Sequence, residues 1–156
     1  MIRDATAADV PTILRFVKEL AIYEREPDAV KATEADLTRV LFGDRPYAEA
    51  IIAEEGATPL GFALFFHNFS TWTGKPGIYL EDLYVTPDAR GAGVGKALLA
   101  RLAAIGVERD CGRLEWSVLD WNAPAIAFYR SLGAVAMDEW TVNRVTGDAL
   151  KALARG

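Results

Sequence analysis

The sequence predicts a single α/β (α+β) domain spanning residues 1–156, with a sheet of six to seven strands flanked by about four helices. Three observations carry this expectation. Apolar runs of period two alternate along the chain with runs of period 3.6. No repeat, low-complexity block or Pro/Gly/Ser-rich linker interrupts them. The glycines of "RGAGVGK", 90–96, fall between a long strand and a long helix, the junction at which such sheets place ligands.

The elements follow in order. Ile2 and Arg3 form a short first strand. Thr6 or Asp9 caps a helix whose apolar stripe is Val10, Ile13, Leu14, Val17 and Leu20, with Pro11 tolerated in its first turn. "TEAD", Thr33 to Asp36, reads as a capping box for a second helix running through Leu41 and stopped by Gly43. "AEAIIAEE" and "LGFALFFHNF" are strands joined by a hairpin connection, "GATP". After the loop "STWTGKPG", the strand "IYLEDLYV" leads to Pro87 and the glycines. A helix from about Val94 to Arg109 follows, then a strand "RLEWSVL", a helix "APAIAFYRSLG", and a last pair of short strands around Val135 and Trp140 to Val145.

Composition excludes several functions. The chain has 51% apolar and 25% charged residues, the balance of an ordinary globular protein. A formal charge of −5 argues against a nucleic-acid binder and suits a cationic small substrate. "MIRDATAADV" lacks a basic segment followed by an apolar run, and no stretch is apolar enough to span a bilayer, so a cytoplasmic protein with no membrane partner is expected. Cys111 is the only cysteine, which rules out an internal disulfide and a cysteine-rich zinc site.

The glycine loop is the strongest local signal. Val94, Leu98, Leu99 and Leu102 recur at helical spacing directly after it, so the glycines open onto a helix N-terminus, where free amides and the helix dipole favour a phosphate. Two familiar phosphate loops fail in register. A dinucleotide GxGxxG needs glycines at one, three and six, whereas Gly91, Gly93 and Gly95 stand at one, three and five. A Walker loop needs a first glycine where Arg90 stands and Ser or Thr where Ala97 stands.

What the stretch does resemble is the RxxGxG/A signature of the GNAT N-acetyltransferases, met as Arg90, Gly93 and Gly95. "YLEDLYV", the glycine loop, "WNAPAIAFYRSLGA" and "IRDATAADVPTILRFVKELAIYE" together resemble the diamine (spermidine/spermine) and thialysine acetyltransferase branch over nearly the whole chain. The resemblance implies a mixed, mostly antiparallel sheet, acetyl-CoA as co-substrate, no metal, and a homodimer.

It also implies roles. The backbone of Leu83, Tyr84 and Val85 pairs with the pantetheine arm. The amides of Gly91, Ala92, Gly93, Val94, Gly95 and Lys96 bind pyrophosphate, with Arg90 and Lys96 either adding charge or standing solvated. Asn122, which either caps the next helix or bonds the pantetheine, and Pro124 and Ala125 at the start of that helix belong to the cofactor site. Tyr129 is the general acid that protonates the leaving thiolate. It lies seven residues after Asn122, two helical turns on, so both can address one ligand; a tyrosine at that spacing is otherwise core packing. Glu81 is implied as substrate ligand and base, acting directly or through a water. Glu81 and Asp82 are neighbours on a strand, so they leave opposite faces unless a bulge intervenes. Asp82 either joins the substrate site or holds loop amides. His67 is a second candidate base.

Tyr23, Glu24 and Trp72 fall where this branch contacts its amine, and with Glu81 they suggest an aromatic and acidic channel for an alkylammonium chain. The polyamine enzymes carry an aspartate two residues before that tryptophan, where this chain has Ser70. That departure favours a lysine-like amine, a diamine or another small primary amine over a long polycation. The competing functions are a non-catalytic CoA sensor, a nucleotide-binding module, and an acetyltransferase acting on a protein or peptide amine.

Overall fold

Residues 1–156 are described by a computed structural model, which divides them into two units, Met1–Leu119 and Asp120–Gly156. In the first, β1 (Ile2–Asp4) leads through a 3₁₀ turn at Ala7–Asp9 into α1 (Val10–Tyr23) and then α2 (Glu34–Phe42). β2 (Glu49–Glu55), β3 (Thr58–Ser70) and β4 (Lys75–Val85) follow, then a 3₁₀ turn at Pro87–Ala89, α3 (Val94–Glu108) and β5 (Leu114–Trp116). The sheet has the order β1-β2-β3-β4-β5. Its first four strands are antiparallel, and β5 joins β4 in parallel.

Local chemistry explains the starts and stops. Thr33 accepts the Asp36 amide and Asp36 accepts the Thr33 amide, the reciprocal cap expected of "TEAD". Thr6 and Asp9 form a similar box one turn ahead of α1. Asp9 serves a second purpose there. Its carboxylate takes two hydrogen bonds from Arg3, which also reaches Glu54, tying the first strand to the first helix and to β2. Arg3 holds the Asp9 carboxyl down to about 2.

Period-two alternation then sorts the sheet. Ile52 on β2, Phe62 and Leu64 on β3, and Tyr84 on β4 face α1 and α2, where they pack with Ile13, Phe16 and Leu41. Ile51, Phe65, Ile78 and Leu80 belong to the opposite face, with α3 burying Leu98, Leu102 and Ile105. Burying each of these side chains contributes about 1.5–3 kcal/mol. Truncating a fully buried one such as Phe62 to alanine is expected to cost about 3–5 kcal/mol. In α1 the deepest residues are Val10, Ile13, Phe16 and Ala21, with Leu14, Val17 and Leu20 half-buried at the margins of the same stripe.

The second unit holds α4 (Ala123–Ser131) and α5 (Gly147–Ala154). Here the expected strands around Val135 and Trp140–Val145 are not formed. Their β-prone residues find no partner strand and stand exposed, Val135 and Val142 at 80% each. The sheet therefore has five strands rather than six to seven, and α5 raises the α-helices to five. Two boundaries also move. β4 begins at Lys75, because Ser70↔Lys75 through His67↔Ile78 pair as a hairpin and leave only four residues to the turn. β5 is confined to Leu114–Trp116.

Candidate active site

The glycine loop closes onto α3 as its spacing requires. Gly91 and Gly93 sit at φ +83 and +84, the left-handed region closed to most side chains, and an added Cβ at either would meet nothing within 4 Å. The neighbouring protein leaves this surface open. Conformation demands glycine, and the space above it is available to a ligand. Gly93 caps α3 without any side-chain hydrogen bond, so the first amides of the helix carry no side-chain partner. An anion fits there, and Lys96 in the first turn is exposed beside it. Gly95 is different: its Cβ would lie an ordinary 3.7 Å from Val85 Cγ2.

Arg90 is neither free in solvent nor extended from the loop. Its Nε donates to the Val85 carbonyl at 3.0 Å, and its guanidinium lies over the rings of Tyr23 and Tyr84, 5.4 and 5.7 Å from their centroids. Arginine thereby fastens the end of α1 to the end of β4. Tyr84 itself is buried against Phe16, so only its backbone is available to a ligand.

That backbone has an open edge. β4 pairs with β3 as far as Val85, but its pairing with β5 covers only Ile78–Leu80. Past Leu80, Leu83, Tyr84 and Val85 present the edge facing β5 with no strand on it, which suits a ligand that hydrogen-bonds as an added strand.

The transition coincides with a β-bulge. Leu64 pairs with Asp82 and Phe65 with Leu80, so Glu81 is the extra residue, two on β4 opposing one on β3. The bulge lifts the restriction that neighbours on a strand leave opposite faces. Asp82 shares the α1/α2 face with Leu64, and Glu24, just beyond α1, interacts with both acids. Burial first, then the charges of Glu81 and Glu24, push the Asp82 carboxyl up to about 6. Burial and Glu81 also raise Glu24. Three carboxylates that repel one another, two at the bulge of an otherwise apolar strand and one just beyond α1, make a locally acidic patch suited to a cation or a proton.

Other expected residues lie elsewhere. His67 is on the α3 face: its Nδ1 pairs with the Gly77 carbonyl at 3.0 Å and its Nε2 with Arg109 at 2.9 Å, while Arg109 also clasps Glu49. That ring is occupied, on the side of the sheet away from Asp82. Cys111 is half-buried, 3.9 Å from the same imidazole. Trp72 stands at the tip of the β3–β4 hairpin, 82% exposed. The strand from Lys75 to Glu81 puts about 20 Å between that tip and the carboxylates. A recess of about 240 Å³ near the C-terminal end of α3 is lined by the paired charges Glu49–Arg109 and Arg101–Glu108 and contains none of the expected site residues.

In the second unit, Asn122 is buried and caps α4, its Oδ1 accepting the Ala125 amide at 3.4 Å. Pro124 begins that helix where a missing N–H costs nothing. Tyr129 follows two turns on, half-buried, its ring 5.6 Å from that of Phe128.

No group of three or more His, Cys, Asp or Glu side chains is arranged to hold a metal ion, and no helix is long and apolar enough to cross a membrane.

Comparison with known proteins gives a consistent result. The model of the acetyltransferase (GNAT) family matches residues 14–134. Thialysine N-epsilon-acetyltransferase of Bos taurus is 38% identical over 165 residues, covering 99% of this chain and 96% of the relative. L-ornithine N5-acetyltransferase of Arabidopsis thaliana is 32% identical, covering 97% of this chain and 86% of the relative. Among solved structures, an integron cassette protein from the mobile metagenome of V. cholerae superposes with a TM-score of 0.82 at 31% identity, over 100% of this chain and 98% of that one.

Proposed function

Since the chain belongs to the GNAT acetyltransferase family, we propose that it moves the acetyl group of acetyl-CoA to a primary amine of a small cationic acceptor, by direct attack in a ternary complex. The observation that carries this reading is the order of features along one strand. The carboxylates at the bulge, the unpaired edge at Leu83–Val85 and the open loop at Gly91–Lys96 follow one another within sixteen residues. An amine held at the first would meet a thioester whose arm lies along the second and whose pyrophosphate sits on the third. The relatives' names, thialysine and ornithine acetyltransferases, support a compact amine rather than a nucleic acid or a lipid.

An amine must lose a proton before it attacks, and its pKa is near 10. Glu81 binds the ammonium and accepts its proton, directly or through a water, and Asp82, with a carboxyl that titrates near 6, shares the task. Glu24 and Tyr23 hold the acceptor from the end of α1. Tyr129 delivers a proton to the departing thiolate, and Asn122, Pro124 and Ala125 set the start of the helix that carries it. The whole chain acts as one N-acetyltransferase domain, in the cytoplasm, as a homodimer. Exposed Val135, Met137, Trp140 and Val142 give a second copy an apolar surface to cover. In a dimer, Trp72 serves the amine site of the partner copy, because its own site is about 20 Å away.

Thiol release from acetyl-CoA, measured against polyamines, lysine analogues, amino sugars and peptides, tests the reading. Small diamines or lysine-like amines are expected to turn over best. Tyr129→Phe is expected to lower turnover about 10²-fold or more while leaving stabilisation by acetyl-CoA intact. Full activity in that variant would remove Tyr129 from catalysis, and release with no amine would leave a CoA sensor.

A further inference from the structure

An arginine at the head of a loop suited to phosphate ordinarily contributes its charge there. Arg90 is turned the other way: its Nε is taken by the Val85 carbonyl, and its guanidinium lies on the ring of Tyr23, the last residue of α1. Its other aromatic neighbour is Tyr84, and Glu19 of α1 and Arg90 both act on the Tyr84 hydroxyl. Glu19 and Tyr23 are one helical turn apart, so the contacts of Arg90 converge on one face of α1.

That end of α1 is held against its local preference. The Arg25 amide donates to the Ile22 carbonyl at 3.1 Å and the Glu26 amide to the Ala21 carbonyl at 2.9 Å, a helix-ending pair of bonds that usually places glycine at the turn. Here the turn residue is Arg25, at φ +65. A side chain in that region is strained and persists where the surroundings fix the backbone. Glu24, which interacts with Glu81 and Asp82, stands directly between Tyr23 and this turn.

We propose that Arg90 is a positioning residue for the amine rather than a ligand of the cofactor's phosphate: stacked on Tyr23, it fixes the end of α1 so that Tyr23 and Glu24 meet the acceptor. The inference rests on the amine-acetylating reading and deepens it, by assigning the arginine of the glycine loop to the other substrate. An aromatic face holds a guanidinium without consuming a carboxylate, so Glu24 remains for the ammonium. The loop amides and Lys96 remain for the pyrophosphate.

Arg90→Met keeps the length of the side chain and loses the guanidinium. Calorimetry gives its Kd for acetyl-CoA, and thiol release gives its KM for thialysine and ornithine. Kd for acetyl-CoA is expected to stay within about 2-fold of wild type, while KM for the better of the two amines rises about 5- to 10-fold. Arg90→Lys keeps a cation for the ring and should fall between wild type and Arg90→Met. Tyr23→Leu should raise KM for the amine, Tyr23→Phe, which keeps the aromatic face, far less. Adding Arg90→Met to Tyr23→Leu should raise it no further, because both remove the same contact. An amine KM unchanged in Arg90→Met, or single effects that multiply in the double variant, overturns the assignment. An acetyl-CoA Kd weakened about 10-fold or more makes Arg90 a phosphate ligand instead, and a joint fall in kcat and in affinity for both substrates marks a structural role; each overturns it and leaves the proposed reaction standing. A wild-type protein that releases no thiol with any amine overturns the reaction and the assignment together. Urea unfolding checks that the variants fold, and where Arg90→Met does not, Arg90→Lys and Tyr23→Leu carry the same comparison.

Discussion

Replacing Asp82 with asparagine tests whether the carboxylates at the bulge are held there against the stability of the fold. The folded protein raises this carboxyl to about 6 from an ordinary 3.8. A tenfold difference in proton affinity is worth about 1.4 kcal/mol, so ionising the group in place costs the native state up to about 3 kcal/mol. Residual solvation reduces that figure, and about 1–2 kcal/mol is expected in measurement. The sign follows from linkage. The folded carboxyl binds its proton more tightly than the unfolded one, so protonation favours the native state. The cost is absent below about pH 4, grows as pH rises toward 6, and is complete above it. Asp82→Asn keeps the shape and removes the charge. Urea unfolding across pH 4 to 8 should show the variant more stable than wild type by about 1–2 kcal/mol at pH 7.5, with the difference vanishing near pH 4. Acetyl transfer should fall in the same variant, the usual exchange of stability for function. A difference independent of pH, or a variant less stable at pH 7.5, would refute the account of Asp82 as a strained, functional acid.

Two further outcomes are expected elsewhere in the first unit. Gly93→Val forces a β-branched residue to φ +84 and fills the space above the loop, so acetyl-CoA should no longer raise Tm; Gly95→Ala, whose Cβ makes only an ordinary contact, should keep most of the shift. Arg3→Ala removes the partner that lowers Asp9 to about 2, a contribution present above about pH 4 and lost as pH falls toward 2. Solvent screening of this partly exposed pair reduces the figure, so urea unfolding should show a loss of about 1 kcal/mol at pH 7 that shrinks as pH falls from about 4 toward 2.

What was legible in the sequence was whatever depends on neighbours a few residues apart. "TEAD" caps α2, the glycines open onto α3, and Asn122 caps α4, because each is a local backbone problem solved by a local side chain. The carboxylates of the site were identifiable as residues but not as a centre. Their coupling depends on a bulge, and a bulge is a mismatch between two strands that neither strand's pattern reveals. The contact of Arg90 with Tyr23 went unnoticed for a similar reason, since only the fold brings the glycine loop to the end of α1. At the C-terminal end, β-prone valines promised strands that need a partner strand, and these residues form none and stand exposed. "GDALKALA" meanwhile carried the apolar spacing of a helix and formed α5.

The bulge also ties the two halves of the site together, and a deletion separates its roles. Leu80 and Asp82 already occupy consecutive positions of the ladder opposite Phe65 and Leu64, so the sheet would remain in register without Glu81. Removing the residue leaves every other side chain of β4 on its present face. An extra residue in an antiparallel pair leaves backbone groups unpaired and bends the strand, and here the pairing with β5 ends at Leu80, directly before it. Deletion of Glu81 should therefore leave the fold at least as stable by urea unfolding, while straightening β4 and closing the edge on which the cofactor arm is proposed to lie. Acetyl transfer should drop about 10²-fold or more, and the rise in Tm with acetyl-CoA should shrink. Glu81→Ala keeps the bulge and loses only the carboxylate, so it should lose turnover yet retain the acetyl-CoA shift. A deletion variant destabilised by more than about 2 kcal/mol, or one that binds acetyl-CoA as well as Glu81→Ala does, would show that the extra residue serves the sheet and not the site.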